Sequence, residues 1–247
     1  MLKQVYFSIV LSALAASSAI AGGHADKVRY VVGDKTFEAV VKDPGGDAKG
    51  TVYIVHDWDG LNDYEVKRAE MVAALGYRAV ALDLFGVDAT LEGFEDYRRE
   101  TGALYQDRQE FRARLQSGIA ATAVEGAAKE ILMGYCFGGA ATLEGARAGF
   151  EMDGFVSFHG GLTTPDGQDY SATKGSVLVL HGSADPVSGM ADLAALLDQF
   201  NTHGVKHDAR VYGGARHSFT VEGSRDYLPE ADQKAWTALV EFLNDGV

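Results

Sequence analysis

The chain has 247 residues, of which 47% are hydrophobic and 23% charged, so its composition is that of a folded protein and excludes the disordered class. No linker-like or low-complexity stretch follows the N-terminal segment, and we expect a single domain. The formal net charge of −13 argues against nucleic acid as a partner. The single cysteine, Cys136, excludes an internal disulfide bond.

The first 21 residues have the pattern of a secretory signal peptide. Lys3 precedes an apolar stretch of about a dozen residues, and small residues follow up to Ala19-Ile20-Ala21. Ser and Ala dilute the second half of this segment, which argues against a membrane anchor. We predict a signal peptide at residues 1–21, a mature domain at residues 22–247, and a periplasmic or secreted location without stable membrane insertion. Cleavage removes one positive charge, Lys3, and changes the net charge from −13 to −14.

Strand and helix patterns alternate along the mature chain. An antiparallel hairpin is expected around Gly33-Asp34-Lys35, and a helix is expected to begin at Asn62-Asp63 and to stop at Gly76. A charged, mostly helical region covers residues 91–125. Apolar strands are predicted at 51–57, 77–86, 129–135, 154–160, 176–182 and 208–213, and further helices at 137–149, 190–203 and 229–243. This alternation predicts a mostly parallel, doubly wound α/β sheet with helices on both faces.

Three residues with reactive side chains follow predicted strands, where active groups of open α/β sheets gather. Cys136 lies in GYCFGG, a G-x-nucleophile-x-G pattern between a strand and a helix, and Asp185 and His217 follow the later strands. A histidine can take the thiol proton, and a carboxylate can fix the imidazole, so the three types form a nucleophilic triad. The start of a helix after Cys136 favours the thiolate.

Each member of this trio also has a structural alternative. Cys136 is compatible with a buried free thiol, Asp185 with a turn before Pro186, and His217 with a surface loop. His159 and His181, each followed by Gly at a strand end, are expected to be hydrogen-bonded scaffold residues around the site. The spacing of histidines and carboxylates does not match a metal site, and no G-x-G-x-x-G follows a strand, so we expect no metal and no dinucleotide cofactor.

Five stretches together resemble the dienelactone hydrolases, a branch of the α/β-hydrolase fold with a cysteine nucleophile. They are VHDWDGLNDY (55–64), LGYRAVALDLFG (75–86), GYCFGG (134–139), HGSADP (181–186) and YGGARHSF (212–219). The resemblance spans nearly all of the mature chain. It implies an α/β-hydrolase domain, a catalytic triad of Cys136, Asp185 and His217, an oxyanion hole formed by the backbone N–H groups of Trp58 and Phe137, and no cofactor.

The chain also departs from that family. Asp57 stands where the family usually has a glutamate that interacts with the nucleophile, and the resemblance implies that Asp57 is a weaker modulator of Cys136. Asp59 is expected to make the mouth of the pocket more polar. Val87 and Val221 occupy the places of arginines that hold a substrate carboxylate in the family, and the arginines nearby in the sequence are Arg98, Arg99 and Arg225.

These features favour an exported cysteine hydrolase that cleaves a lactone or another small carboxylic ester through a thioester acyl-enzyme. One alternative is a non-enzymatic binding or assembly protein that retains the fold. Another is a thiol redox role, which is weaker because the chain has no second cysteine to resolve an intermediate. The sequence does not indicate an oligomeric state.

The signal peptide generates a direct prediction. Protein isolated from its native host should begin at or near Gly22, because the A-x-A ending at Ala21 matches the signal-peptidase pattern. N-terminal sequencing of the mature fraction measures this. Intact Met1 in that fraction would contradict the prediction.

Overall fold

A computed structural model describes residues 26–246; the predicted signal peptide, residues 1–21, lies outside the described residues. The described chain forms eight strands: β1 Asp26–Val32, β2 Lys35–Lys42, β3 Thr51–Val55, β4 Arg78–Leu82, β5 Glu130–Tyr135, β6 Gly154–Phe158, β7 Ser176–Gly182 and β8 His207–Tyr212. It also forms six helices: α1 Asp63–Ala74, α2 Phe94–Gln106, α3 Arg108–Thr122, α4 Phe137–Arg147, α5 Met190–His203 and α6 Pro229–Asp245.

Local sequence signals account for several element boundaries. β1 and β2 pair antiparallel as the predicted hairpin. Asn62 caps α1 by accepting a hydrogen bond from the Tyr64 N–H, and Glu65 completes a capping box, so the predicted helix start is confirmed. The helical region predicted at 91–125 is two helices, because Asp107 ends α2 and its side chain caps α3.

The eight strands form one sheet in the order β1-β2-β4-β3-β5-β6-β7-β8. β1, β2 and β4 pair antiparallel, and all pairs from β4 to β8 are parallel, which confirms the mostly parallel sheet. The chain passes from β3 to β4 on one side and then returns to place β5 on the other side of β3. The carboxyl ends of β3 and β5 therefore flank the point where the winding reverses, which is where open α/β sheets form their sites.

Helices cover both faces of the sheet, as expected. On one face α1 and α6 pack on a buried apolar cluster that includes Val72 and Leu239. On the other face α2, α3, α4 and α5 pack on a second cluster that includes Leu104, Phe111 and Leu196. Between residues 26 and 246, no helix combines the length and hydropathy that a bilayer crossing requires.

The turn from β5 into α4 depends on two glycines. A Cβ at Gly134 would lie 2.2 Å from the Gly138 carbonyl oxygen, and a Cβ at Gly138 would lie 2.2 Å from the Val55 carbonyl oxygen. Carbon atoms cannot approach backbone oxygens this closely, so both positions require glycine. The close packing places the start of α4 directly against the end of β3.

We expect Gly138→Ala to lower the free energy of unfolding by about 3 kcal/mol or more, because the added carbon forces backbone apart. Gly102→Ala is the matched control. Gly102 lies inside α2 with no atom within 4 Å of an added Cβ, so this change should raise the free energy of unfolding by about 0.5–1 kcal/mol. Urea denaturation measures both, and equal effects at the two positions would contradict the role assigned to Gly138.

Candidate active site

Cys136 lies between the last residue of β5 and the first residue of α4, with φ 51° and ψ −110°. Only three non-glycine residues of the described chain have positive φ: Cys136, His159 and Ser218. Each lies within one residue of, or in contact with, the predicted triad. Backbone strain of this kind costs about 1–3 kcal/mol per residue and persists where the surrounding structure enforces it.

The structure brings Cys136, His217 and Asp185 together in one line of contacts. Nε2 of His217 lies 3.0 Å from Sγ of Cys136, and Nδ1 of the same ring lies 2.8 Å from Oδ2 of Asp185. The Asp185 carboxylate accepts a hydrogen bond from the Nδ1–H group, which leaves Nε2 free to accept the proton of the thiol. All three residues come from separate strand ends, as the sequence predicts.

Asp185 is held as a carboxylate by its surroundings. Its Oδ1 accepts hydrogen bonds from the backbone N–H groups of Val187, at 2.8 Å, and Ser188, at 3.2 Å. Burial acts to raise the pKa of Asp185, but the hydrogen bond and charge of His217 outweigh it, so the pKa lies below its usual value. Asp185 is therefore ionised at neutral pH and can stabilise a positively charged His217.

The Cys136 thiol is protonated in the resting protein. Burial of the sulfur raises the pKa of Cys136, and the nearby Asp57 carboxyl raises it further. The backbone N–H groups of Phe137 and Trp58 act in the opposite direction, so the expected influence of the helix start is present but is outweighed. The residue is partly accessible and lines a cavity.

The same two N–H groups occupy the place expected for an oxyanion hole. The backbone N–H groups of Phe137 and Trp58 both lie near enough to the Cys136 sulfur to favour its thiolate form. Trp58 follows β3 and Phe137 begins α4, so the two donors come from the two strand ends at the reversal point. Paired backbone donors beside a nucleophile can stabilise negative charge that develops on a carbonyl oxygen.

His159 contacts the backbone of the turn that carries Cys136. The Cys136 N–H donates to the Phe158 carbonyl, at 3.0 Å, and also lies 3.2 Å from Nδ1 of His159. Burial, together with the charge of His217, lowers the pKa of His159 well below its usual value, so the ring is neutral. With Nδ1 accepting, Nε2 carries the proton and donates to Oγ1 of Thr220, at 2.8 Å.

Two further scaffold contacts complete the surroundings. Oγ1 of Thr220 lies 2.7 Å from the hydroxyl of Tyr64, and Nε2 of His181 donates to the Ser188 carbonyl, at 2.8 Å. The scaffold roles predicted for the two histidines at strand ends are thus confirmed. Sequence analysis missed Thr220 and Tyr64, because a lone threonine and a lone tyrosine carry no motif that marks them.

Asp57 lies beside two other acidic residues, Asp59 and Glu65. Its Oδ1 accepts a hydrogen bond from the Asp59 N–H, and its own N–H donates to Oε1 of Glu65, both at 3.2 Å. Burial raises the pKa of Asp57 to about 9, reinforced by the neighbouring Asp59 carboxyl. Burial also raises the pKa of Glu65 to about 7. Asp57 is therefore neutral at pH 7, and its negative charge raises the pKa of Cys136 only once Asp57 ionises at higher pH.

A cavity of about 510 Å³ opens above the sulfur. Its lining is mainly apolar and aromatic, from Trp58, Phe94, Tyr105, Phe137, Pro186 and Val187, with Arg225 and Asp226 at one part. Asp59 is absent from this lining, so the expectation that it makes the mouth more polar is wrong: its carboxyl lies against Asp57 instead. A slightly larger groove, of about 580 Å³, lies between β8 and α6 and contains none of the predicted site residues.

The three arginines near the expected carboxylate-binding positions have different surroundings. Arg225 lines the cavity, whereas Arg98 is exposed and Arg99 forms ion pairs with Asp96 and Glu100 on α2. Within residues 26–246, His, Cys, Asp and Glu side chains form no group of three or more that would suit a metal ion.

Known proteins share the fold of this chain. A metagenomic protein described as a dienelactone hydrolase-like promiscuous phosphotriesterase is 30% identical, with a TM-score of 0.83 over 91% of this chain and 99% of its own. A structure from Klebsiella pneumoniae, provisionally named a dienelactone hydrolase, shares the fold at 18% identity, with a TM-score of 0.78 over 90% of this chain and 98% of its own.

A protein of Saccharolobus solfataricus that is provisionally named a carboxymethylenebutenolidase is 29% identical over 121 residues. That alignment covers 48% of this chain and 45% of the relative. The dienelactone hydrolase family model matches residues 37–246, which include most of β2, every later strand and all of the site residues described above. The chain therefore belongs to the dienelactone hydrolase family, a family of hydrolases that act on ester bonds.

Proposed function

We propose that this protein is an exported hydrolase that cleaves a small carboxylic ester or lactone through a covalent thioester on Cys136. The observation that carries the proposal is the continuous line from Sγ to Nε2, at 3.0 Å, and from Nδ1 to Asp185, at 2.8 Å. Family membership supports ester hydrolysis as the reaction class. The signal-peptide pattern at residues 1–21 supports export.

Acylation begins with the neutral thiol. As the sulfur attacks the ester carbonyl carbon, Nε2 of His217 takes the S–H proton, and the C–S bond forms while the carbonyl π bond becomes an oxyanion. The N–H groups of Trp58 and Phe137 would stabilise this oxyanion, each by about 3–4 kcal/mol. Collapse of the intermediate breaks the ester C–O bond, and the leaving alkoxide takes the proton from His217. Asp185 stabilises the transient imidazolium.

Deacylation repeats these steps with water. His217 removes a proton from a water molecule that attacks the thioester carbonyl, and the same two N–H groups hold the second oxyanion. Collapse breaks the C–S bond, and the sulfur recovers its proton from His217. A linear ester gives an acid and an alcohol, whereas a lactone gives both groups on one molecule. The neutral resting thiol suits this cycle because the proton transfer occurs only when an ester carbonyl is in place.

The binding or assembly alternative predicts a different outcome with an activated ester. Mass spectrometry of the protein exposed to p-nitrophenyl acetate should show an acetyl adduct on Cys136 that forms and then decays as turnover proceeds. An unmodified Cys136 would support the non-enzymatic alternative, and an oxidised one would support the redox role. The Cys136→Ala variant serves as the control for adducts on other side chains.

The triad predicts unequal effects of two histidine substitutions. Cys136→Ala and His217→Ala should each lower kcat/KM for p-nitrophenyl acetate by roughly 10³-fold or more, because members of a triad act as a unit. His203→Ala should change it by less than about twofold, since His203 is exposed at the end of α5 and distant from the site. Similar losses in the two histidine variants would mean that the general base is assigned wrongly.

Asp57 should affect Cys136 only at high pH. With a pKa of about 9, Asp57 is neutral at pH 7, so Asp57→Asn should leave the rate of Cys136 alkylation by iodoacetamide close to that of the parent there. Above about pH 9 the ionised Asp57 of the parent opposes the thiolate, and the variant should react faster. Asp63→Asn, at an exposed position in the first turn of α1, is the matched control.

Because the pKa of Asp57 is raised in the folded protein, the free energy of unfolding should fall as the pH rises. The folded protein binds the Asp57 proton more tightly than the unfolded chain does, so this group's stabilisation is complete below its usual pKa and is lost as the pH rises to about 9. Asp57→Asn should therefore reduce the fall in unfolding free energy across that range. An alkylation profile that matches the parent at every pH would show that Asp57 has only a structural role.

A further inference from the structure

Exposed apolar side chains are concentrated at the mouth of the cavity above Cys136. Four large hydrophobic residues of its lining are exposed at the surface: Trp58 at 36%, Phe94 at 57%, Tyr105 at 38% and Val187 at 67%. They come from three separate segments, the loop after β3, the helix α2 and the loop after β7. Single exposed apolar residues are common on proteins, but several around one cavity mark a binding surface for an apolar group.

The aromatic members of this surface are held in place by one another. The rings of Trp58 and Phe94 meet edge to face with centroids 5.4 Å apart, and Trp58 also meets Tyr97 at 5.3 Å. The ring of Tyr105 meets Phe137 at 5.6 Å, next to the oxyanion N–H. These contacts fix the rings before a ligand arrives, so little side-chain freedom is lost on binding.

The cation that lines the cavity, Arg225, is largely exposed to solvent and lies beside a carboxylate. Nε of Arg225 lies 3.5 Å from Oδ1 of Asp226, and Nε of Arg216 lies 3.0 Å from the same oxygen. The Arg225 side chain is 83% exposed, so its charge is also screened by solvent. An anionic substrate would meet Asp226 together with Arg225, and the ionised Asp185 lies beneath the site. Within residues 26–246, the cavity lining therefore offers a carboxylate no buried cation.

We infer that this site selects uncharged esters that carry a bulky apolar or aromatic group, held between Trp58, Phe94, Tyr105 and Val187, and discriminates against esters that carry a carboxylate. The inference rests on the proposed ester hydrolysis. It makes Phe94 and Val187 specificity-determining residues, because they are the most exposed members of the apolar surface and take no part in the triad. An apolar surface contributes by binding, so its effect should fall on KM rather than on kcat.

The test compares two esters with the same leaving group and acyl chains of similar length. We expect kcat/KM of the parent protein for p-nitrophenyl pentanoate to exceed that for p-nitrophenyl hemisuccinate by about tenfold or more, since only the second carries a charge. Phe94→Ala and Val187→Ala should each lower kcat/KM for the pentanoate about three- to tenfold through KM, with kcat little changed. Val124→Ala removes a 46% exposed side chain in the loop between α3 and β5 and should leave both esters unaffected.

The possible failures are distinguishable. If the parent hydrolyses neither ester faster than Cys136→Ala does, the proposed function is wrong and the inference with it. If both esters are hydrolysed and the hemisuccinate reacts as well as the pentanoate, only the inference is wrong. If Arg225→Gln lowers hydrolysis of the hemisuccinate more than that of the pentanoate, Arg225 binds substrate carboxylates and the inference is also wrong. Unchanged unfolding midpoints in the variants exclude a general loss of structure.

Discussion

The contact between the start of α4 and the end of β3 is the constraint on which the site depends. Gly138 lies so close to the Val55 carbonyl that no side chain fits between them, and this closeness brings the N–H groups of Trp58 and Phe137 to the same sulfur. Cys136, next to this contact, has a positive φ. The strain is sustained because every residue of α4 is buried, so the helix cannot move away without exposing a large apolar area.

Burial affects the protonation states in this site more strongly than any individual ion pair does. The sulfur, Asp57 and Glu65 are all shifted towards their neutral forms by burial, whereas Asp185 keeps its charge because His217 and two backbone N–H groups offset the desolvation. Because Asp185 is ionised and contacts the imidazole of His217, it stabilises a positive charge on that ring. The acidic residues around the nucleophile thus have distinct roles, although their composition alone does not distinguish them.

The sequence is informative where a chemical rule acts over short distances. The hairpin at Gly33, the capping box at Asn62 and the glycines around Cys136 follow from local backbone geometry, and the triad follows from three residues placed at strand ends. The break at Asp107 is not visible in a continuous helical pattern, since an aspartate that caps one helix also suits the surface of another.

Features that depend on contacts distant in sequence were not predictable in the same way. The hydrogen bond between Thr220 and His159 joins residues 61 positions apart, and no motif connects them. Asp59 was expected at the cavity mouth, but its side chain lies against Asp57. The packing of the loop that carries Asp57 sets the direction of that side chain, and the sequence does not reveal this packing. The sign of the pKa shift at Cys136 depends on how many atoms surround the sulfur, a property of the folded chain alone.

The raised pKa of the lone thiol also affects the chemical durability of the protein. Peroxides and disulfides react with the thiolate, and a sulfur that keeps its proton at neutral pH presents very little of that form. In the exported hydrolase proposed above, Cys136 would have no partner cysteine to reverse its oxidation, and the burial that raises its pKa would also slow that oxidation. Under the proposed mechanism, the thiol would then lose its proton only while an ester occupies the cavity, and it would persist longer between turnovers.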